Sequence, residues 1–162
     1  MGKPIISIII GSQSDLETVK EASNLLKEFK VGFEIKVLSA HRTPKELAQY
    51  VESASKKKIK VFIAAAGGAA ALAGVVASHT NLPVIAIPIE TKSLQGLDSL
   101  LSTVQMPAGI PVASMAIGKA GARNAAIFAL EILALADRKI AAKIIGYRCK
   151  MKEKIKRIKI RA

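Results

Sequence analysis

The chain has 162 residues, 51% of them apolar and only 4% aromatic, so one domain with a core of Ala, Ile, Val and Leu is expected, the mix that suits helices packed on a parallel sheet. Its single cysteine, Cys149, excludes an internal disulfide, and the lack of any His/Cys/Asp/Glu cluster with metal-ligand spacing fits a metal-free protein of a reducing cytoplasm. The net charge of +13 does not point to a specific nucleic-acid partner: eleven of the 25 Lys and Arg residues lie in 138–162 with one acid, Glu153, leaving fourteen against eleven elsewhere, and no aromatics interleave the basic residues.

Pro4–Ile10 is β-branched and almost wholly apolar, which predicts a central strand buried on both faces. It is too short to span a membrane and lacks a leader cleavage pattern, so no membrane association is expected. Gly11-Ser12-Gln13-Ser14-Asp15 is a tight turn with three residues able to cap a helix. Leu16, Val19, Ala22, Leu26 and Phe29 recur at helical spacing, and Val31-Gly32 ends that helix. A second strand over Phe33–Leu38 leads into Ser39-Ala40-His41-Arg42-Thr43-Pro44, where Thr43 and Pro44 fit the N-cap and first position of a helix to about Ser55. Lys56-Lys57-Lys58 reads as a solvated turn.

A third strand, Lys60–Ala64, runs into a stretch of small residues from Ala65 to Gly74. A helix follows to about His79, and a fourth strand covers Leu82–Pro88 with prolines only at its ends. Beyond it the pattern is less regular: a short helix from Asp98 to Val104, then a loop and a short fifth strand over Pro111–Ala116. An Ala-rich helix spans about Ala120 to Ala136. A last helix starts near Arg138 with an apolar stripe of Ile140, Ile144, Tyr147, Met151, Ile155 and Ile158. This alternation predicts an α/β fold, a three-layer α/β/α sandwich around a parallel sheet of flavodoxin or Rossmann type, with residues 1–137 as body and 138–162 as a basic amphipathic helix of the same domain.

Three loops follow strands of that sheet, and ligand crevices form at the carboxyl ends of such strands. Arg42 with the hydroxyls of Ser14 and Ser39 suits a phosphate, Asp15 suits a ribose diol, and His41 suits proton transfer near neutral pH. Gly67-Gly68 matches neither a dinucleotide fingerprint nor a P-loop. His79 reads as a capping or surface residue, and Asp98 and Lys119 as ion-pair candidates. The residues alone predict an α/β domain that binds a small phosphorylated ligand.

Five blocks sharpen this. Gly11–Asp15, Ser39–Pro44, Ala66–Ala70, Leu97–Pro107 and Ala116–Ala126 occur in that order and together resemble the N5-carboxyaminoimidazole ribonucleotide mutase (PurE) family of purine biosynthesis, over roughly residues 5–137. The resemblance implies transfer of a carboxylate from the exocyclic nitrogen of a phosphoribosyl aminoimidazole to ring carbon C4, through aminoimidazole ribonucleotide and carbon dioxide, with no cofactor. Carried over, Ser14, Ser39 and Arg42 resemble the phosphate grip with Ser12 nearby, and Asp15 the ribose ligand. His41 resembles the C4 proton shuttle. Gly67, Gly68, Ala69 and Ala70 resemble the wall around base and carboxylate, with Ala40 and Leu72 also at the substrate. The family forms homo-octamers in which terminal helices pack on neighbours. Where the family's bacterial pattern continues His-Leu-Pro-Gly, this chain has Ala71-Leu72-Ala73-Gly74. That departure brings in two alternatives, direct carboxylation of aminoimidazole ribonucleotide by carbon dioxide and a non-catalytic nucleotide-binding homologue.

Overall fold

The computed structural model describes residues 2–158, apart from the side chain of Ser55. The last four residues of the predicted 138–162 segment, and Met1, lie outside the described residues. In chain order the elements are β1 (Ile6–Ile10), α1 (Leu16–Glu28), β2 (Phe33–Val37), α2 (Pro44–Lys56), β3 (Val61–Ala66), α3 (Leu72–Ser78), β4 (Val84–Pro88), α4 (Leu97–Val104), β5 (Ala113–Ser114), α5 (Gly118–Ala134) and α6 (Arg138–Lys156). A single 3-10 turn, Gln13–Asp15, precedes α1.

The strands form one parallel sheet in the order β2-β1-β3-β4-β5. The order reverses between β1 and β3, which opens a crevice at their carboxyl ends. Every residue of β1 is buried, as its unbroken apolar run requires of a strand covered on both faces. On one face Ile6, Ile8 and Ile10 meet Val19, Ala22 and Leu26 of α1 and Ala122, Ala125 and Ala129 of α5. The alanines let α5 approach both the sheet and α1 closely. On the other face Ile9, Phe62 and Ala64 meet Leu47 and Val51 of α2 and Val76 of α3. Burying one such large aliphatic side chain contributes roughly 1.5–3 kcal/mol.

Ser7 is the polar exception in β1. Fully buried, its Oγ lies 2.5 Å from the Tyr50 hydroxyl, which in turn donates to Glu34 Oε1 at 2.7 Å. This chain ties α2 to the two strands beneath it.

The predicted elements are all present with shifted ends. β3 continues to Ala66, so the first small residues of the 65–74 stretch belong to the strand. α5 starts at Gly118 rather than Ala120. β5 has two residues against the six predicted, because Pro111 has no N–H for the ladder and the segment pairs only with β4. α6 divides in two. Ile140 and Ile144 are buried on the body, Tyr147 packs edge-on to Phe29 with ring centroids 5.6 Å apart, and 148–158 is exposed throughout.

Candidate functional site

The loops after β1, β2 and β3 meet at the crevice the strand order opens. A cavity of about 380 Å³ there is lined by Gly11, Ser12, Asp15, Ser39, Ala40, His41, Arg42, Ala66, Gly67 and 69–72. One side is polar and comes from the first two loops. The other is a wall of small apolar residues, 69–72.

The first loop is held by a reciprocal cap. Ser12 Oγ accepts from the Ser14 N–H at 3.4 Å, and Asp15 Oδ2 accepts from the Ser12 N–H at 3.0 Å. The Ser14 hydroxyl reaches Ser12 Oγ at 3.0 Å and Asp15 Oδ1 at 3.3 Å. Asp15 is only 7% exposed, and this burial pushes its carboxyl above the ordinary value. Hydrogen bonds from the Ser12 backbone and the Ser14 side chain, and the charge of Arg42, pull the other way without cancelling it. All three take part in this cap, and Ser12 and Asp15 also line the cavity.

The second loop is closed by Thr43. Its hydroxyl accepts from the Ser39 N–H at 2.8 Å and donates to the Ser39 carbonyl at 3.2 Å, while the Thr43 N–H donates to that carbonyl at 3.0 Å. Thr43 stands at the N-cap position as expected, but its hydroxyl turns back to Ser39 and makes no capping bond to α2. The tightened turn thrusts His41 and Arg42 outward, both exposed. Arg42 Nη2 donates to the Gly11 carbonyl at 2.7 Å and Nε to Ser39 Oγ at 3.4 Å, which fixes the guanidinium over the first loop. Pro44 at the first position of α2 lacks the N–H that would otherwise be unsatisfied there.

The third loop is strained. Ala70 adopts φ +39°, in the left-handed region that a Cβ disfavours, and Gly68 takes φ +65°. The Ala70 N–H donates to the Gly67 carbonyl at 3.3 Å and closes this turn.

A second cavity of about 540 Å³ shares Asp15 and Gly67 with the first and is otherwise lined by Ser14, Thr18, Ile89, Glu90, Thr91 and Lys92. Ser12, Asp15, Ser39, Ala40, His41, Arg42, Gly67, Ala69, Ala70 and Leu72 therefore meet in the first cavity, as expected from the sequence. Ser14 lines the second, and Gly68 lines neither. Sequence reasoning missed Thr18 and 89–92. The available signal was position: 89–92 directly follows β4, at the same edge of the sheet as the other loops. His79 lies far from this crevice, 3.1 Å from Glu52. Lys119 pairs with Glu17 at 3.5 Å, and Asp98 accepts from Thr91.

With this geometry in place, a family model described as AIR carboxylase matches residues 5–154. The chain belongs to the AIR carboxylase family. Among relatives of this family, N5-carboxyaminoimidazole ribonucleotide mutase of Methanocaldococcus jannaschii is 57% identical over 151 residues, covering 93% of this chain and 92% of its own. The protein of that name from Pyrococcus abyssi is 53% identical over 152 residues, covering 94% and 86%. The crystal structure of Treponema denticola PurE superimposes with a TM-score of 0.86 at 29% identity, over 94% of both chains. Membership of the AIR carboxylase family accounts for the ordered motif blocks and for the sheet order together.

Among the described residues no group of three or more His, Cys, Asp or Glu side chains is placed to hold a metal ion, and no helix is long and apolar enough to cross a membrane.

Proposed function

We propose that this chain is an N5-carboxyaminoimidazole ribonucleotide mutase of purine biosynthesis, acting without ATP. The observation that carries this reading is the pairing, within one cavity, of an imidazole with a wall of small apolar residues. His41 stands on the polar side, and Ala69, Ala70, Ala71 and Leu72 form the other.

The reaction needs these parts. Breaking the N–carboxylate bond requires a proton at the exocyclic nitrogen and releases carbon dioxide. Bond formation at C4 then expels the C4 proton. One proton enters and one leaves, so a single group that gives and takes back a proton suffices, and His41 supplies the one imidazole in the cavity, the side-chain type suited to both steps. Carbon dioxide is apolar and uncharged, so the alanine wall retains it beside the ring better than a hydrated surface would. Arg42 with Ser12, Ser14 and Ser39 holds the phosphate, since a fixed guanidinium and hydroxyls match its oxygens. Asp15, on the ridge between the two cavities, accepts from the ribose hydroxyls. Ala40 and the 67–72 wall enclose the base.

Outside the crevice, Leu94, Leu97, Leu101 and Val104 around α4 are each more than half exposed, as are Met151 and Ile155 on the free part of α6. The stretch 93–117 carries one charge, Asp98. These exposed apolar side chains, those of α4 in a nearly uncharged stretch, support burial against further copies, in a closed assembly whose size the family resemblance puts at eight, in the cytoplasm.

Purified protein is expected to convert N5-carboxyaminoimidazole ribonucleotide to the C4-carboxylated isomer without ATP, and His41→Asn to lower kcat by about 10³-fold, the order that follows when the proton-transfer group is lost. Unimpaired turnover in that variant would remove His41 from the role.

A further inference from the structure

His41 stands on a turn that the sheet does not hold. β2 is an edge strand, and the bond from the Leu38 N–H to the Ile10 carbonyl at 3.0 Å is its last backbone tie to β1. Three residues later His41 is exposed, and among the described residues no hydrogen bond or ion pair holds its ring. The place of the imidazole is therefore set by the backbone of the turn. Thr43 closes that turn, its hydroxyl accepting from the Ser39 N–H at 2.8 Å and donating to the Ser39 carbonyl at 3.2 Å. Thr43 is itself anchored to the core, because its carbonyl accepts at 3.0 Å from the N–H of Leu47, a fully buried residue of α2. Pro44 disfavours the helical conformation for the residue before it, and Thr43 stays outside the helix at φ −136°.

Resting on the mutase reading, we propose that Thr43 is the positioning residue of the proton-transfer step, and that its hydroxyl acts through Ser39 to hold His41 at the ligand. Thr43 lines neither cavity, so its effect reaches the ligand through the residues of its turn. The clamp fastens the two ends of the segment that carries the imidazole, Ser39 on one side and Thr43 on the other. Without the hydroxyl, the Ser39 N–H loses its acceptor and one of the three bonds between these residues remains, from the Thr43 N–H to the Ser39 carbonyl. A displacement of the imidazole by about 1 Å is enough to cost roughly 10²-fold in rate.

The neighbours of His41 are anchored differently. Arg42 has a tie of its own to the first loop, from Nη2 to the Gly11 carbonyl at 2.7 Å. Ser12 and Ser14 belong to that first loop, which its own cap closes. The residues assigned to the phosphate thus keep most of their support when the Thr43 clamp is opened, whereas His41 has no second anchor. Loss of the Thr43 hydroxyl therefore acts on the proton-transfer rate far more than on ligand binding.

Two quantities separate these effects: the single-turnover rate with N5-carboxyaminoimidazole ribonucleotide, and the dissociation constant of aminoimidazole ribonucleotide by calorimetry. Both are measured for wild type, Thr43→Val and Thr43→Ser. Valine keeps the branched shape and the backbone N–H and removes only the hydroxyl, while serine keeps the hydroxyl. Thr43→Val is expected to lower the rate about 10²-fold with a dissociation constant within about threefold of wild type, and Thr43→Ser to return the rate to within about threefold. Thr43→Ala against Thr43→Ser repeats the comparison should the valine variant not fold, with the same difference in rate expected. An unchanged rate in the variants without the hydroxyl would overturn the proposal. So would an equal loss of rate and binding, which would give Thr43 to the phosphate grip, or a serine variant as slow as the valine one, which would give the effect to packing of the methyl group. Each of these leaves the mutase reading intact, whereas a wild-type protein that did not convert the N-carboxylated ribonucleotide would overturn that reading and this role with it.

Discussion

Asp15 combines burial with the charge that the proposed ribose contact would use. Burial penalises the ionised form and pushes its carboxyl above the ordinary value of 3.8. In the window just above that value the folded chain holds the proton that the unfolded chain has already released. The folded state therefore binds more protons, and stability falls as pH rises through the window, then levels off once Asp15 is ionised in both states. Asp15→Asn removes this titration. Against the variant, wild type should lose melting temperature steadily as pH rises from about 3.8 to the folded pKa, followed by calorimetric scans. Parallel curves for the two proteins would show that burial of the charge costs nothing. The variant also weakens ribonucleotide binding, because a carboxamide oxygen accepts less strongly than a carboxylate.

At this scale the sequence revealed what is local. Ser39, His41 and Arg42 are legible because strand end, turn and helix start are written in adjacent residues. The 89–92 wall of the second cavity is not, because it meets the other loops only once β4 lies two strands from β1. Thr43 is half legible. Its place before Pro44 fixes the position, but only the closed turn shows that its hydroxyl serves Ser39 instead of the helix.

Among the elements, β1, β3 and β4 were the most readable, since unbroken β-branched runs fit only strands covered on both faces. β5 was the least, because two ladder residues leave no period to detect. Its junction with α5 depends on one glycine. A Cβ on Gly121 would stand 1.6 Å from the Ala116 carbonyl oxygen and 2.6 Å from its carbon, both backbone atoms that no rotamer change can move. Gly121→Ala must therefore displace the 116–121 backbone, which carries the first turn of α5 onto the sheet. A loss of about 3 kcal/mol is expected. For a chain of this size that lowers the melting temperature by roughly 6–12 °C. A variant melting with wild type would mean that the turn relaxes freely.

For the molecule as a whole, two features stay unexplained by one copy of the chain. From Arg148, which pairs with Glu131 of α5, to its end at Lys156 the helix α6 is exposed, and the α4 face is apolar and nearly uncharged. A helix segment of nine residues is marginal in water unless it packs on something. Truncation after Tyr147 keeps Ile140 and Ile144 on the body and removes the exposed part together with the Arg148–Glu131 ion pair. Light scattering should then report a smaller assembly than the roughly eight-fold multiple of 17.1 kDa expected for the full chain. An unchanged mass would place the contacts elsewhere. Alternating strands and helices made the three layers readable, whereas an apolar stripe in sequence does not say whether it covers its own subunit or another. α6 does the first through Tyr147 and Arg148, and its later residues are exposed.

The central claim is that carbon dioxide released from the exocyclic nitrogen stays in the His41 cavity until C4 takes it up. It is tested most directly by supplying N5-carboxyaminoimidazole ribonucleotide labelled with carbon-13 in its carboxylate, in excess unlabelled bicarbonate and without ATP. The account predicts that nearly all the 4-carboxy product formed early in the reaction carries the label. Product that is mostly unlabelled, at a rate rising with bicarbonate, would contradict it and mark the chain as a carboxylase using dissolved carbon dioxide.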